Sequence, residues 1–167
     1  MWLAERNLFR PRWSDHIHAE WIRNALADKQ QITAERLQTT RKLMDRTPEA
    51  LVTGYEALIP AIELTAKEDR HVVAAGVLAK ADAIVTFNLR DFPGEELARY
   101  DLEAIHPDEF LLDLLHLDSA AVLGVVSTIQ AGLRNPPISL EQLLAHYERL
   151  DLGGFASEVR RLQEGSV

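Results

Sequence analysis

Apolar positions along this chain recur at two periods, one helical and one extended. Trp2, Leu3 and Leu8 read as the end of a helix, and Pro11 breaks the chain after it. Ser14 can cap the next helix, on which Ile17, Trp21, Ala25 and Leu26 form one apolar face. Thr33 can cap another, with Leu37, Leu43 and Met44 pointing inward and Thr47-Pro48 as its stop. Leu51 to Ile62 is ambiguous: Leu51–Tyr55 has the pattern of a strand, and Leu58-Ile59-Pro60 that of a second extended piece. A helix then runs from Lys67 to about Lys80 with Val72, Val73, Gly76 and Val77 on its face. Its small residues Ala74, Ala75, Gly76 and Ala79 allow close packing on a sheet. Ala83–Phe87 is a continuous apolar run, too short for a helix, that suits a parallel strand buried on both faces. Asn88 to Gly94 is a loop, Leu102–Ile105 one more short strand, and Pro107 opens a helix with Asp108 and Glu109 in its first turn.

From Asp113 the pattern is helical only. Ser119–Leu133 is a strongly apolar helix, and Asn135-Pro136-Pro137 is a break. Ser139 and Gln142 make a capping box for a helix to Leu150. Gly153-Gly154 is expected to end that helix, before a last one from about Phe155 to Gln163. Helices alternating with short apolar strands predict an α/β domain with a mostly parallel sheet over residues 1–112, followed by an all-helical extension over residues 113–167.

Composition narrows the picture. The chain has 167 residues, 47% of them hydrophobic, which suits a folded domain with a modest appendage. It has no cysteine, which excludes disulfides and thiolate zinc sites and fits a reducing cytoplasm. No apolar run approaches the ~18 residues of a membrane span, and the N-terminus lacks the basic-then-apolar layout of a signal peptide. The net charge of −8 argues against a broad nucleic-acid grip. Its acid excess gathers in Glu95, Glu96, Asp101, Glu103, Asp108, Glu109, Asp113 and Asp118, against Arg99 alone. Arg6, Arg10, Arg12, Arg23 and Lys29 keep the N-terminal part near balance, so charge permits a local nucleic-acid contact without predicting one.

Four oxygen-bearing residues stand out. Asp69 begins a helix, Asn88 and Asp91 follow directly on the strand ending at Phe87, and Glu20 lies on a helix beside Trp21. In parallel sheets, ligands bind outside the carboxyl ends of the strands. Each residue has a plain reading of its own: helix cap, turn residue, loop cap, solvated side chain. Together they offer the hard oxygen donors that magnesium prefers. The histidines carry less. His16 and His18 are two apart and do not share a helix face, and no HExxH pair suggests zinc. Walker, GxGxxG and GxSxG signatures are absent.

Three blocks carry a family resemblance: Asp69-Arg70-His71-Val72 with its alanine-rich helix, Ala81 to Pro93 with Thr86-Phe87-Asn88-Leu89-Arg90-Asp91 at its centre, and His106-Pro107-Asp108-Glu109-Phe110. With Phe9 to Ser14 and Glu20-Trp21, they resemble PIN-domain proteins of the VapC-like toxin type over most of residues 1 to 112. The resemblance implies a PIN-like parallel sheet flanked by helices. It also implies a magnesium- or manganese-dependent endoribonuclease, the toxin of a toxin–antitoxin pair, with RNA as substrate, an antitoxin as partner and a homodimer as an option. Of the family's four acidic positions, Glu20 matches the second and Asp69 the third, while the fourth falls at Asn88 or Asp91. Glu20, Asp69, Asn88 and Asp91 are thus the expected metal ligands, and Arg12 and Arg90 the expected phosphate contacts. The first position, an aspartate on an N-terminal strand, has no counterpart in this chain; a site that worked without it would use Asp15 or a residue from a second subunit. The alternative is a PIN-like binding module or truncated fragment that acts through a protein partner without catalysis.

Overall fold

The computed structural model describes residues 2–27 and 32–164, so Lys29, counted above among the N-terminal cations, lies outside the described residues. One helical turn, α1 (Trp2–Glu5), comes first. Ser14 is fully buried, and its Oγ accepts from the Ile17 N–H at 3.3 Å to start α2 (Asp15–Ala27), as the sequence predicts. Thr33 does the same for α3 (Ala34–Met44), accepting from the Arg36 N–H at 3.3 Å. After a 3₁₀ turn at Lys67–Asp69 comes α4 (Arg70–Ala79), which ends where Lys80 turns left-handed at φ 51°. β1 (Ala83–Val85), α5 (Gly94–Leu97) and β2 (Glu103–Ile105) follow, and the two strands pair in parallel as one small sheet. The remaining elements are helical: α6 (Pro107–Leu117), α7 (Ser119–Gly132), α8 (Leu140–Arg149) and α9 (Gly153–Glu164). The fold is therefore α/β with a minimal parallel sheet and a helical extension.

The chain divides into two compact units. One spans Arg10–Ala104, and the other joins the segment up to Phe9 to everything from Ile105 on. In the first unit, α4 and β1 surround a core of Val52, Tyr55, Ile62, Leu64, Val73, Ile84 and Leu102. A loop clamp closes it: both Glu96 carboxylate oxygens accept from Thr65, from its N–H at 2.8 Å and its hydroxyl at 2.5 Å. In the second unit α6, α7, α8 and α9 bury Leu115, Val122, Leu144, Phe155 and Val159, with Leu3, Leu8 and Phe9 packed on the same cluster. Phe9 meets Phe110 edge to face, ring centroids 5.2 Å apart. Among the described residues, no single helix is long and apolar enough to cross a membrane. The pair α6 and α7 reaches that length only together, across a 120° bend.

Several expectations are corrected. Leu51–Tyr55 is no strand: Leu51 makes one parallel bridge to Trp13, and the chain then turns at Gly54 with φ 83°, a backbone state open to glycine. Leu58-Ile59-Pro60 is not extended either. It lies in a 3₁₀ helix over Tyr55–Ala61, anchored by Tyr55, which is 1% exposed. The strand at Ala83 is buried on one side only, with Val85 and Phe87 exposed, because a two-stranded sheet has one covered face. On α2 the buried residue is His18, while Leu26 is exposed, as is Leu43 on α3. Gly153-Gly154 begins α9 where the sequence pattern suggests an end, since Asp151 at φ 61° already makes the reversal.

Candidate active site

Asp69 is delivered by a short, well-anchored loop. Its N–H donates to the Ala66 carbonyl at 3.1 Å, and the neighbouring Arg70 Nε donates to the Leu64 carbonyl at 3.1 Å, below the Thr65–Glu96 clamp. Asp69 occupies the N-cap of α4, yet its side chain accepts no capping bond. The plain reading as a helix cap therefore does not describe this carboxylate. Burial first, and then the Asp91, Glu20 and Glu68 carboxylates, push its carboxyl above the ordinary aspartate range, with His71 acting in the opposite direction. Asp69 is thus the point on which Glu20 and Asp91 bear.

Glu20 is set in place through the buried side of α2. Trp21 Nε1, which can only donate, donates to His18 Nδ1 at 2.9 Å, so His18 Nε2 carries the hydrogen and donates to Asp45 Oδ1 at 2.9 Å. His18 is 0% exposed, and this chain of bonds pins α2 to the end of α3. From the pinned helix, His16, Glu20 and Arg23 line a cleft of about 290 Å³ together with Ala19, Ile59, Lys67, Glu68 and His71. His71 Nε2 lies 3.3 Å from Glu20 Oε2, and the Arg23 guanidinium stands 3.9 Å from Glu20 Oε1. The His16 and His71 rings meet edge to face at 5.2 Å, and the buried Tyr55 hydroxyl is 2.9 Å from His16 Nδ1.

Asn88 and Asp91 come from the segment after β1. The Asn88 N–H donates to Thr86 Oγ1 at 3.1 Å, turning the chain into a 3₁₀ turn over Leu89–Asp91 that the buried Phe92 anchors. The Asn88 side-chain amide donates to Asp91 Oδ2, which fixes the carboxylate and leaves the amide oxygen as a neutral donor. Arg90 is exposed and makes no ion pair among the described residues. Arg12 faces the Glu49 carboxylate at 3.5 Å instead. Asp15 is paired with Arg41 and is not among the groups acting on Asp69.

The donor set is carboxylates and an amide oxygen, the chemistry a hard divalent cation prefers. Among the described residues, no three His, Asp or Glu side chains draw close enough to cage a metal ion. Magnesium does not require a cage, since it keeps several waters and commonly takes one or two carboxylates from the protein. Such a cation would offset the charge that Asp91, Glu20 and Glu68 bring to bear on a half-buried Asp69, so the residues fit the group. Sequence reading weighs the histidines lightly and gives His16, His71 and Tyr55 no place in the site. A signal for His16 was present: His16, Glu20 and Arg23 are spaced i, i+4 and i+7 and share one face of α2.

The sequence profile of the VapC50 C-terminal domain matches residues 107–161, which run from α6 into α9. The Mycobacterium tuberculosis protein named "Putative ribonuclease VapC50" is 40% identical to the chain over 113 residues, which is 68% of this chain and 66% of that protein. The chain thus spans just under two thirds of the length of this curated relative. No solved structure matches the chain.

Proposed function

The chain belongs to the VapC-like family, and from that premise we propose that it is a metal-dependent endoribonuclease of toxin type that hydrolyses RNA phosphodiesters. What supports this is a half-buried Asp69 that caps nothing and whose carboxyl is raised by burial and by the Asp91 and Glu20 carboxylates. Glu20, Asp69 and Asp91 would hold magnesium or manganese, with the Asn88 amide oxygen as a further donor. Bound there, the metal supplies a Lewis acid and a water of lowered pKa for attack at phosphorus. Asn88 keeps Asp91 in place through its side-chain N–H. Arg90, exposed on the same turn as Asp91, is the cation best placed to steady a phosphate. Arg12 would first have to leave Glu49. The substrate is RNA and the regulatory partner a cognate antitoxin.

Cleavage of a mixed RNA substrate with manganese tests the proposal directly. Asp69→Asn is expected to lower the rate by roughly 100-fold or more, and a chelator to abolish cleavage. A folded protein that leaves RNA intact with manganese would instead favour a module that acts by association.

A further inference from the structure

We propose that His71 is the positioning residue for Glu20, holding its Oε2 so that Oε1 is the oxygen turned over to the cation. This rests on the metal-dependent reading above and assigns a role to a side chain that reading does not use.

The geometry separates the two oxygens of one carboxylate. Oε2 lies 3.3 Å from His71 Nε2, and the His71 side chain is 10% exposed, so the group facing Oε2 is buried and fixed. Oε1 faces Arg23 at 3.9 Å, from a side chain that is 70% exposed. A solvated guanidinium at that distance is easily displaced, whereas a buried imidazole is not. The imidazole is itself held: its ring packs edge to face on His16 at 5.2 Å, and His16 Nδ1 is 2.9 Å from the hydroxyl of Tyr55, which is 1% exposed. A line of support therefore runs from the core at Tyr55 through two imidazoles to Oε2. The other nitrogen, His71 Nδ1, is buried without a hydrogen-bond partner, so the ring's polar contact is spent on Glu20. Partners of this kind, standing behind a liganding carboxylate, typically change metal affinity by about 10–100-fold when removed.

Manganese affinity of the full chain, measured by calorimetry and by the EPR signal of free manganese, tests this without recourse to activity. His71→Leu is expected to weaken binding by about 10-fold or more. His71→Gln, whose amide nitrogen reaches the position of Nε2, is expected to stay within about threefold of the parent, and His71→Asn, whose nitrogen mimics Nδ1, to fall with His71→Leu. The Gln–Asn comparison keeps the test intact if the leucine variant fails to fold, because both carry an amide of similar bulk. Arg23→Ala is expected to leave affinity unchanged or tighten it. Equal affinities for the Gln and Asn variants, while Asp69→Asn abolishes binding, would overturn the role of His71 and leave the metal site standing. A parent protein that binds no manganese would overturn both.

Discussion

Asp69 stands at the start of α4 bearing burial and the repulsion of Asp91, Glu20 and Glu68 without the capping bonds that usually compensate a residue there. Its carboxyl is raised in the folded chain, so the fold binds that proton more tightly than the unfolded chain does. The linked cost is absent below the ordinary aspartate pKa and is complete once the pH passes the raised folded value. Asp69→Asn is therefore expected to raise the melting temperature of metal-free protein at neutral pH, with the gain shrinking toward zero in acid. Melting curves between acid and neutral pH check this. Added manganese should reverse the order, since a ligand at about 100 times its dissociation constant stabilises the parent by about 2.7 kcal/mol. Asp69, Asn88 and Asp91 were legible in the sequence because each sits at a local boundary, a helix start or a strand end. Glu20 stood out only as a carboxylate beside Trp21, and the family resemblance gave it a position in the site. Its neighbour His71 was not, because the contact that gives it meaning spans from residue 20 to residue 71.

Among elements, α2 is the one whose placement decides the site. Its pin is polar: His18 is fully buried between Trp21 and Asp45. Periodicity marks Ile17, Trp21, Ala25 and Leu26 as the inward face, and a histidine reads as outward. Its partners Trp21 and Asp45, the latter at the C-terminal end of α3, allow the burial. His18→Ala should leave Asp45 Oδ1 and the Trp21 indole without their shared partner, while Arg41 still faces Asp45 Oδ2, and cost about 2–4 kcal/mol in urea unfolding. Manganese binding should weaken along with it. A second tertiary cap operates on α9, where the Gly154 and Phe155 N–H groups donate to the Asp108 carboxylate at 3.0 and 2.8 Å. A Cβ on residue 154 would meet Asp108 Oδ2 at 2.5 Å, which is why a glycine stands at that position. Asp108→Ala is expected to cost about 1–2 kcal/mol, and Gly154→Ala about 1–3 kcal/mol, by the same unfolding measurement. The sequence pattern places Asp108 in the first turn of α6, where it sits, but its capping of α9 depends on chain packing that no local window contains.

On the scale of the molecule, the expected residues of the proposed chemistry lie within Arg10–Ala104, while the VapC50 C-terminal profile covers 107–161 of the helical unit. The sequence reading drew its domain line at residue 112, where composition turns helical. In the structure α6 packs with α7 and α9 instead, because Leu114 and Leu115 belong to their cluster. Leu3, Leu8 and Phe9 complete that cluster from the opposite end of the sequence. A fragment of residues 105–167 should accordingly lose about 3–6 kcal/mol through the missing apolar contacts. Adding a peptide of residues 1–10 in trans should restore part of it, as urea titrations would show.

That shared cluster also sets a schedule for synthesis. Leu3, Leu8 and Phe9 leave the ribosome roughly 95 residues ahead of the segment that covers them. At ~5–20 residues per second they wait on the order of 5–20 s with their apolar side chains in water. Closing so long a loop costs about 4 kcal/mol in chain entropy before any contact returns it. The first turn of this chain is thus a natural client for a nascent-chain chaperone, and the helical unit is completed only after its last helix has emerged.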